Sequence, residues 1–210
     1  MDKKLLDNFG NIKIYEVDGE DIRTNLEPNF NNFACNVDFD IIPEDELWLD
    51  VEMDPGEVKF YITRMLAKKR MVDIGYDKDD ADDISNFIEL SERQKSNKYK
   101  EYKNGNITKE LKLKVLSNYK DVTIYLVDGE LVRDFFYEDF TEGGHHFVYP
   151  WIPEKEVWVD DDLKEEEIPA VVFHELFERL MMVDGETYDK AHIEALRFEW
   201  LQKKRKNEKV

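Results

Sequence analysis

The sequence predicts an α+β fold built as two tandem copies of one unit, each a small antiparallel sheet followed by two helices. Three observations carry this. The chain repeats itself at a fixed offset of 110 residues. Short alternating runs of strand type come first in each copy. Longer runs of helical period follow them, which is the order of an α+β unit.

The repeat is direct. Ile14-Tyr15-Glu16-Val17-Asp18-Gly19-Glu20 matches Ile124-Tyr125-Leu126-Val127-Asp128-Gly129-Glu130, and Ile42-Pro43-Glu44 matches Ile152-Pro153-Glu154. Residues 5–50 and 115–160 share 16 identities in 46 ungapped positions. A period this long marks a domain rather than a solenoid repeat. The expected organisation is a first copy over 1–92, a basic linker over 93–114 and a second copy over 115–205.

Within one copy, Ile12-Lys13-Ile14-Tyr15-Glu16-Val17 alternates apolar and polar side chains and predicts a half-buried strand. Asp18-Gly19 is a tight-turn signal, so residues 20–23 are expected to return as a hairpin arm. Residues 37–41 alternate again and predict another strand. Pro43-Glu44-Asp45 is a turn, and Leu47-Trp48-Leu49-Asp50-Val51 a further strand, repeated at Val157-Trp158-Val159-Asp160. Both copies keep the tryptophan, which reads as core.

The first helix of copy two is expected from the acid-rich stretch before Pro169, which suits a helix start, to Met182. Val172, Phe173, Leu176, Phe177, Leu180 and Met181 form an apolar face, with His174 and Glu178 at its edge. The second helix runs from about Tyr188 to about Lys204 and carries His192, Ala195 and Glu199 on one face.

Composition narrows the function classes. The net charge of -19 argues against a broad basic face for nucleic acid. Residues 91–121 run the other way, with nine Lys or Arg and four acids, and read as a solvated linker helix or a basic strap. Cys35 is the single cysteine, so no intrachain disulfide forms. No apolar run approaches membrane-spanning length, and the first residues lack the apolar core of a secretory signal. The expectation is a cytoplasmic protein, in the host cytoplasm if phage-encoded.

All four histidines lie in copy two. His174 and Glu178 stand at i and i+4 of one helix, and His192 follows eighteen residues later on the next. Such a set leaves an open position on a metal ion and suits Zn2+ or another divalent transition metal. Glu175 is offset by about 100° around the helix. That places it to take a proton from a water acidified toward a pKa of about 7. Gly143-Gly144-His145-His146 reads as a flexible loop bringing His145 to the site as a further ligand or a hydrogen-bond donor. Copy one is an internal control. Arg64, Met65 and Lys68 stand where copy two has His174, Glu175 and Glu178, and His192 falls near Ala81-Asp82 after an expected slip of one or two residues.

The His-Glu-x-x-Glu helix with its outlying His resembles a rearranged His-Glu-x-x-His helix of the zincin metallopeptidases, with Glu178 at the place of the second histidine. The longer string of Gly143, Gly144, His145, Pro153, Glu156, Trp158, Asp160, His174, Glu175, Glu178, Tyr188, Ala191 and His192 is similar to a group of small phage, bacterial and archaeal proteins of mostly unassigned function. The resemblance implies a zincin-like copy two, with a sheet edge lining the cleft beside the active helix. It also implies a metal-dependent, peptidase-like hydrolase acting on a protein or peptide. Copy one is then a degenerate domain for substrate or partner binding. The readings from other classes are a non-catalytic acidic interaction protein, such as a nucleic-acid mimic or counter-defence inhibitor of a phage, and a virion or toxin–antitoxin component without chemistry.

Overall fold

The computed structural model describes residues 2–207. The chain divides into two compact units, Met1–Gly105 and Asn106–Val210. Unit one contains β1 (Lys3–Phe9), β2 (Ile12–Val17), α1 (Gly19–Asn25), β3 (Phe33–Cys35), β4 (Glu46–Asp50), α2 (Val58–Asp73), α3 (Lys78–Arg93) and α4 (Asn97–Tyr102). Unit two contains α5 (Ile107–Glu110), β5 (Lys112–Tyr119), β6 (Val122–Val127), α6 (Gly129–Phe135), β7 (Gly143–His145), β8 (Glu156–Asp160), α7 (Ile168–Val183) and α8 (Tyr188–Asn207). The α+β class stands. The expected single linker helix is instead two short helices, and Lys112 opens a strand of unit two.

The sheets are mixed rather than antiparallel. Their orders are β1-β2-β4-β3 and β5-β6-β8-β7, and the central pairs β2–β4 and β6–β8 run parallel. A parallel pair needs a crossover, and the residues expected to return as a hairpin arm supply it as α1 and α6. Asp18 and Asp128 cap these helices by accepting from the N–H of Asp21 and Leu131. An Asx cap outweighs the turn signal of Asp-Gly here.

Residues 37–41 form turns, not a strand. The Asp38 carboxylate accepts from the Cys35 N–H at 2.9 Å, and the Cys35 carbonyl accepts from the N–H of Asp38 and Phe39. Val37 and Phe39 pack against the two cores, while Ile41 is exposed.

Each sheet packs on both faces. In β4, Leu47 and Leu49 face Tyr61 and Met65 of α2, while Trp48 faces Ile22 of α1 and Phe30. In unit two, Val157 and Val159 pack toward Val171, and Trp158 joins Trp151 and Phe136 on the other face. Trp158 is fully buried. Its Nε1 donates to Glu156, which also holds Lys112, as Glu46 holds Trp48 and Lys3. These pairs fix the first strand of each sheet against the center.

The 110-residue offset persists through the last helix. The left-handed Gly75 (φ 103) and Gly185 (φ 94) end α2 and α7, and α3 and α8 begin at 78 and 188. The expected slip is absent, so Asp82 is the counterpart of His192.

Candidate metal centre

Helix α7 does not bury the face that its apolar residues suggest. Its buried residues are Val171, His174, Glu175 and Glu178. Phe173 is exposed and meets Phe177 and Phe198 of α8 in a peripheral aromatic cluster. The ionisable face instead meets β7 and α8, which bring His145 and His192 to it. Buried ionisable groups of this density require partners.

Glu178 is the hub. Its Oε2 lies 2.8 Å from His192 Nδ1 and 3.7 Å from His174 Nε2, and those two nitrogens are 3.3 Å apart. Tetrahedral bonds of about 2.0–2.1 Å to N and O donors put neighbouring ligand atoms about 3.3–3.4 Å apart. The three donor atoms are therefore spaced as the edge of a first coordination shell, and the donor chemistry fits zinc or another divalent first-row metal. The other nitrogen of His174, Nδ1, lies 3.1 Å from Glu199 Oε2 on α8. Donation from Nδ1–H to that carboxylate turns Nε2 toward the center, as carboxylates behind metal-binding histidines do.

His145 approaches the opposite oxygen, with Nε2 at 3.0 Å from Glu178 Oε1. Its ring is fully buried, and neither ring nitrogen makes an aligned hydrogen bond. His145 is on edge strand β7, not in a flexible loop. Gly143 explains part of the double-glycine signal: a Cβ there would stand 3.1 Å from Glu175 Cγ and Val171 Cγ1. Phe33 fills that position in unit one, over Met65 in place of Glu175. Donor atoms of His174, Glu178 and His192 form one group within 4.8 Å, and those of His145, Glu175 and Glu178 a second. His146 joins neither group; its ring lies against Phe147, and burial with the nearby Arg179 lowers its pKa.

The charge balance without an ion is met by protons. Burial opposes the charged form of His174, but Glu178, Glu199 and Glu175 push its pKa up to about 10. Burial and the carboxylates of Glu178 and Glu142 push Glu175 up to about 8, against the His174 charge. Burial works against ionised Glu178 as well, yet His145, His174 and His192 hold it well below the usual carboxylate range. The Tyr188 ring stacks on His192 at 5.3 Å, and burial with Glu178 and Glu175 raises its phenol to about 12. Burial and Glu175 likewise raise Tyr149. Both phenols are hydrogen-bond donors at neutral pH.

Unit one carries the inverse arrangement. The Lys68 ammonium, at the Glu178 position, is held by Asp38 at 2.6 Å and by Asp82, at the His192 position. Arg64, at the His174 position, reaches Glu89, the counterpart of Glu199, at 3.5 Å. Arg93 joins Glu57 and Glu89 in full burial.

A third acidic group, Asp160, Asp161 and Asp162, is already satisfied by Arg133 and the Gly129 N–H. No family model, no curated protein and no solved structure matches the chain. The reading therefore rests on the geometry. Sequence reasoning placed His145, His174, Glu175, Glu178 and His192, and the fold brings all five together. It noted Glu199 only as sharing a face with His192, and it missed the space that Gly143 leaves for Glu175.

Proposed function

We propose that unit two is a zincin-like, metal-dependent hydrolase domain acting on a protein or peptide. His174, Glu178 and His192 hold a divalent transition metal, most simply Zn2+. The observation that carries this reading is the spacing of their donor atoms around Glu178 Oε2, with Glu199 orienting His174. When bound, such an ion acidifies water and polarises a carbonyl. Glu175 takes the proton and returns it to the leaving group. Burial favours its neutral form, so a proton taken up there is held until it is returned. His145 and Tyr188 stand as donors to developing negative charge.

The peptide preference is supported by β7. It is the edge of its sheet and packs against α7. The Asp160 N–H donates to the Glu142 carbonyl, so antiparallel alternation turns the Gly143 carbonyl and the His145 N–H toward the open edge. In unit one the matching Cys35 N–H is capped by Asp38; Val148 occupies that position in unit two. An extended peptide can pair with such an edge.

The test is metal analysis together with cleavage of a peptide library. The native chain is expected to carry stoichiometric metal and to cleave. Glu175→Gln is expected to abolish cleavage while retaining the metal. Undiminished cleavage by that variant removes Glu175 from the chemistry, and a chain that takes up no transition metal ends the proposal. The net charge of -19 supports a second reading, an acidic inhibitor seated in a basic cleft of another protein. Salt-sensitive binding to a basic protein that survives His174→Ala would favour it.

A further inference from the structure

We infer that His145 and Glu175, with the second oxygen of Glu178, form a second divalent-cation site, and that its occupation withdraws Glu175 from proton transfer. The inference rests on the metal-binding half of the proposed function. It deepens that reading by assigning the same pocket a built-in response to excess metal.

The donors sort by the two oxygens of one carboxylate. His174 and His192 gather at Glu178 Oε2, and His145 at Oε1, with Nε2 at 3.0 Å. The second group, His145, Glu175 and Glu178, keeps its donor atoms within 4.8 Å of one another and shares only Glu178 with the first. A carboxylate presented this way bridges two ions, and bridged pairs lie about 3.5–4 Å apart. His145 supplies the independent sign. It is fully buried, lies beside a carboxylate, and makes no aligned hydrogen bond through either ring nitrogen. Buried polar groups are ordinarily satisfied. An imidazole in full burial, held 3.0 Å from Glu178 Oε1 without an aligned hydrogen bond, stands as two donors beside one cation do.

Gly143 belongs to the same construction. A Cβ there would crowd the Glu175 side chain that must reach the ion. Unit one has none of these donors: Cys35, Met65 and Lys68 stand at the three positions. The two sites differ in rank. Glu199 braces the first through His174, whereas neither ring nitrogen of His145 makes an aligned hydrogen bond. The second ion also enters against the charge of the first. The first site therefore fills at lower metal concentration. With one ion, Glu175 is free to move a proton; with two, it is a ligand.

The experiment is titration of the full chain, stripped with chelator, with Mn2+ alone, followed by calorimetry and electron paramagnetic resonance. Two sequential binding events are expected. The spectrum should be that of isolated Mn2+ at one equivalent and should show exchange coupling at two. Glu175→Gln and His145→Asn should each remove the second event and the coupling while keeping the first. His192→Ala should weaken the first. Circular dichroism of each stripped variant identifies any that fails to fold, and the coupling in the native chain is read independently of them. One event only, or two equivalents without coupling, overturns the inference and leaves the first site intact. Two events that survive both Glu175→Gln and His145→Asn also overturn it. No binding of Mn2+, with none of Zn2+ in a parallel titration, overturns the first site as well.

Discussion

Glu199 never touches the proposed ion, yet it decides which nitrogen of His174 is presented. Losing such a carboxylate typically costs 10–100-fold in metal affinity. Glu199→Gln is therefore expected to weaken Zn2+ binding by about that factor, measured by competition with a chromogenic chelator, with the fold unchanged by circular dichroism. Unaltered affinity would show that His174 needs no bracing. Proton release follows from His174 itself. Its pKa near 10 means that the imidazolium must lose its proton to bind a metal near neutral pH. Roughly one proton or more per first ion should appear in calorimetry across buffers of different ionisation enthalpy. Zero release would contradict the charge arrangement. The candidate pair His174 and Glu178 was legible in the sequence because the i, i+4 spacing on one helix is a local property. The role of Glu199 was not legible, because it acts through a contact between two helices whose crossing no spacing reveals. Gly143 was equally silent: a glycine states that space is needed, and only the packed neighbour shows for what.

At the scale of elements, β2, β4, β6 and β8 and the two long helices of unit two could be read from periodicity, whereas the short edge strands β3 and β7 and the pairing could not. Alternation is the same in parallel and antiparallel strands, so Val157-Trp158-Val159 gives no sign that β8 runs parallel to β6. The crossover was hidden in Asp-Gly, a pair that serves hairpin turns and helix caps alike. Strands β1 and β5 were invisible because their side chains are mostly exposed and carry no regular alternation. The crossover makes its own prediction. A Cβ on Gly129 would stand 2.0 Å from the Asp160 carboxylate, which Arg133 locks in full burial. Gly129→Ala should destabilise unit two by about 1–3 kcal/mol, as overpacking of a tight interior does. Denaturant unfolding with an unchanged midpoint would show that the crossover is slack.

For the whole molecule, the two units should answer differently to metal and to pH. Saturating Zn2+ at about 100 times its Kd adds about 2.7 kcal/mol to a folded state that alone binds it. Calorimetry should show one unfolding transition rising and the other fixed; a shift of both, or of neither, would contradict a single equipped unit. In chelator, unit two should lose stability as pH rises. Glu175, raised from 4.5 to about 8, and His174, raised from 6.5 to about 10, are both groups that the folded state keeps protonated. Their contribution is whole below the lower values and gone above the upper ones. Unit one has the opposite sign at Asp38. Burial opposes its charge, but Lys68 holds it below the ordinary 3.8, so its contribution is present above that pH and fades as acid titrates the folded carboxylate. Asp38→Asn should flatten that acid limb in a pH series of melting curves. No helix among the described residues is long and apolar enough to cross a membrane.

Lys68 gives the duplication a further consequence. Its ammonium sits between Asp38 and Asp82 at the place where the other unit gathers a carboxylate and a histidine. One half of the chain thus carries its cation covalently, and under the proposed function the other borrows one from its surroundings. Metal starvation can reach only the borrower. Under the proposed function, the same polypeptide holds a half that is indifferent to metal supply and a half whose firmness follows it.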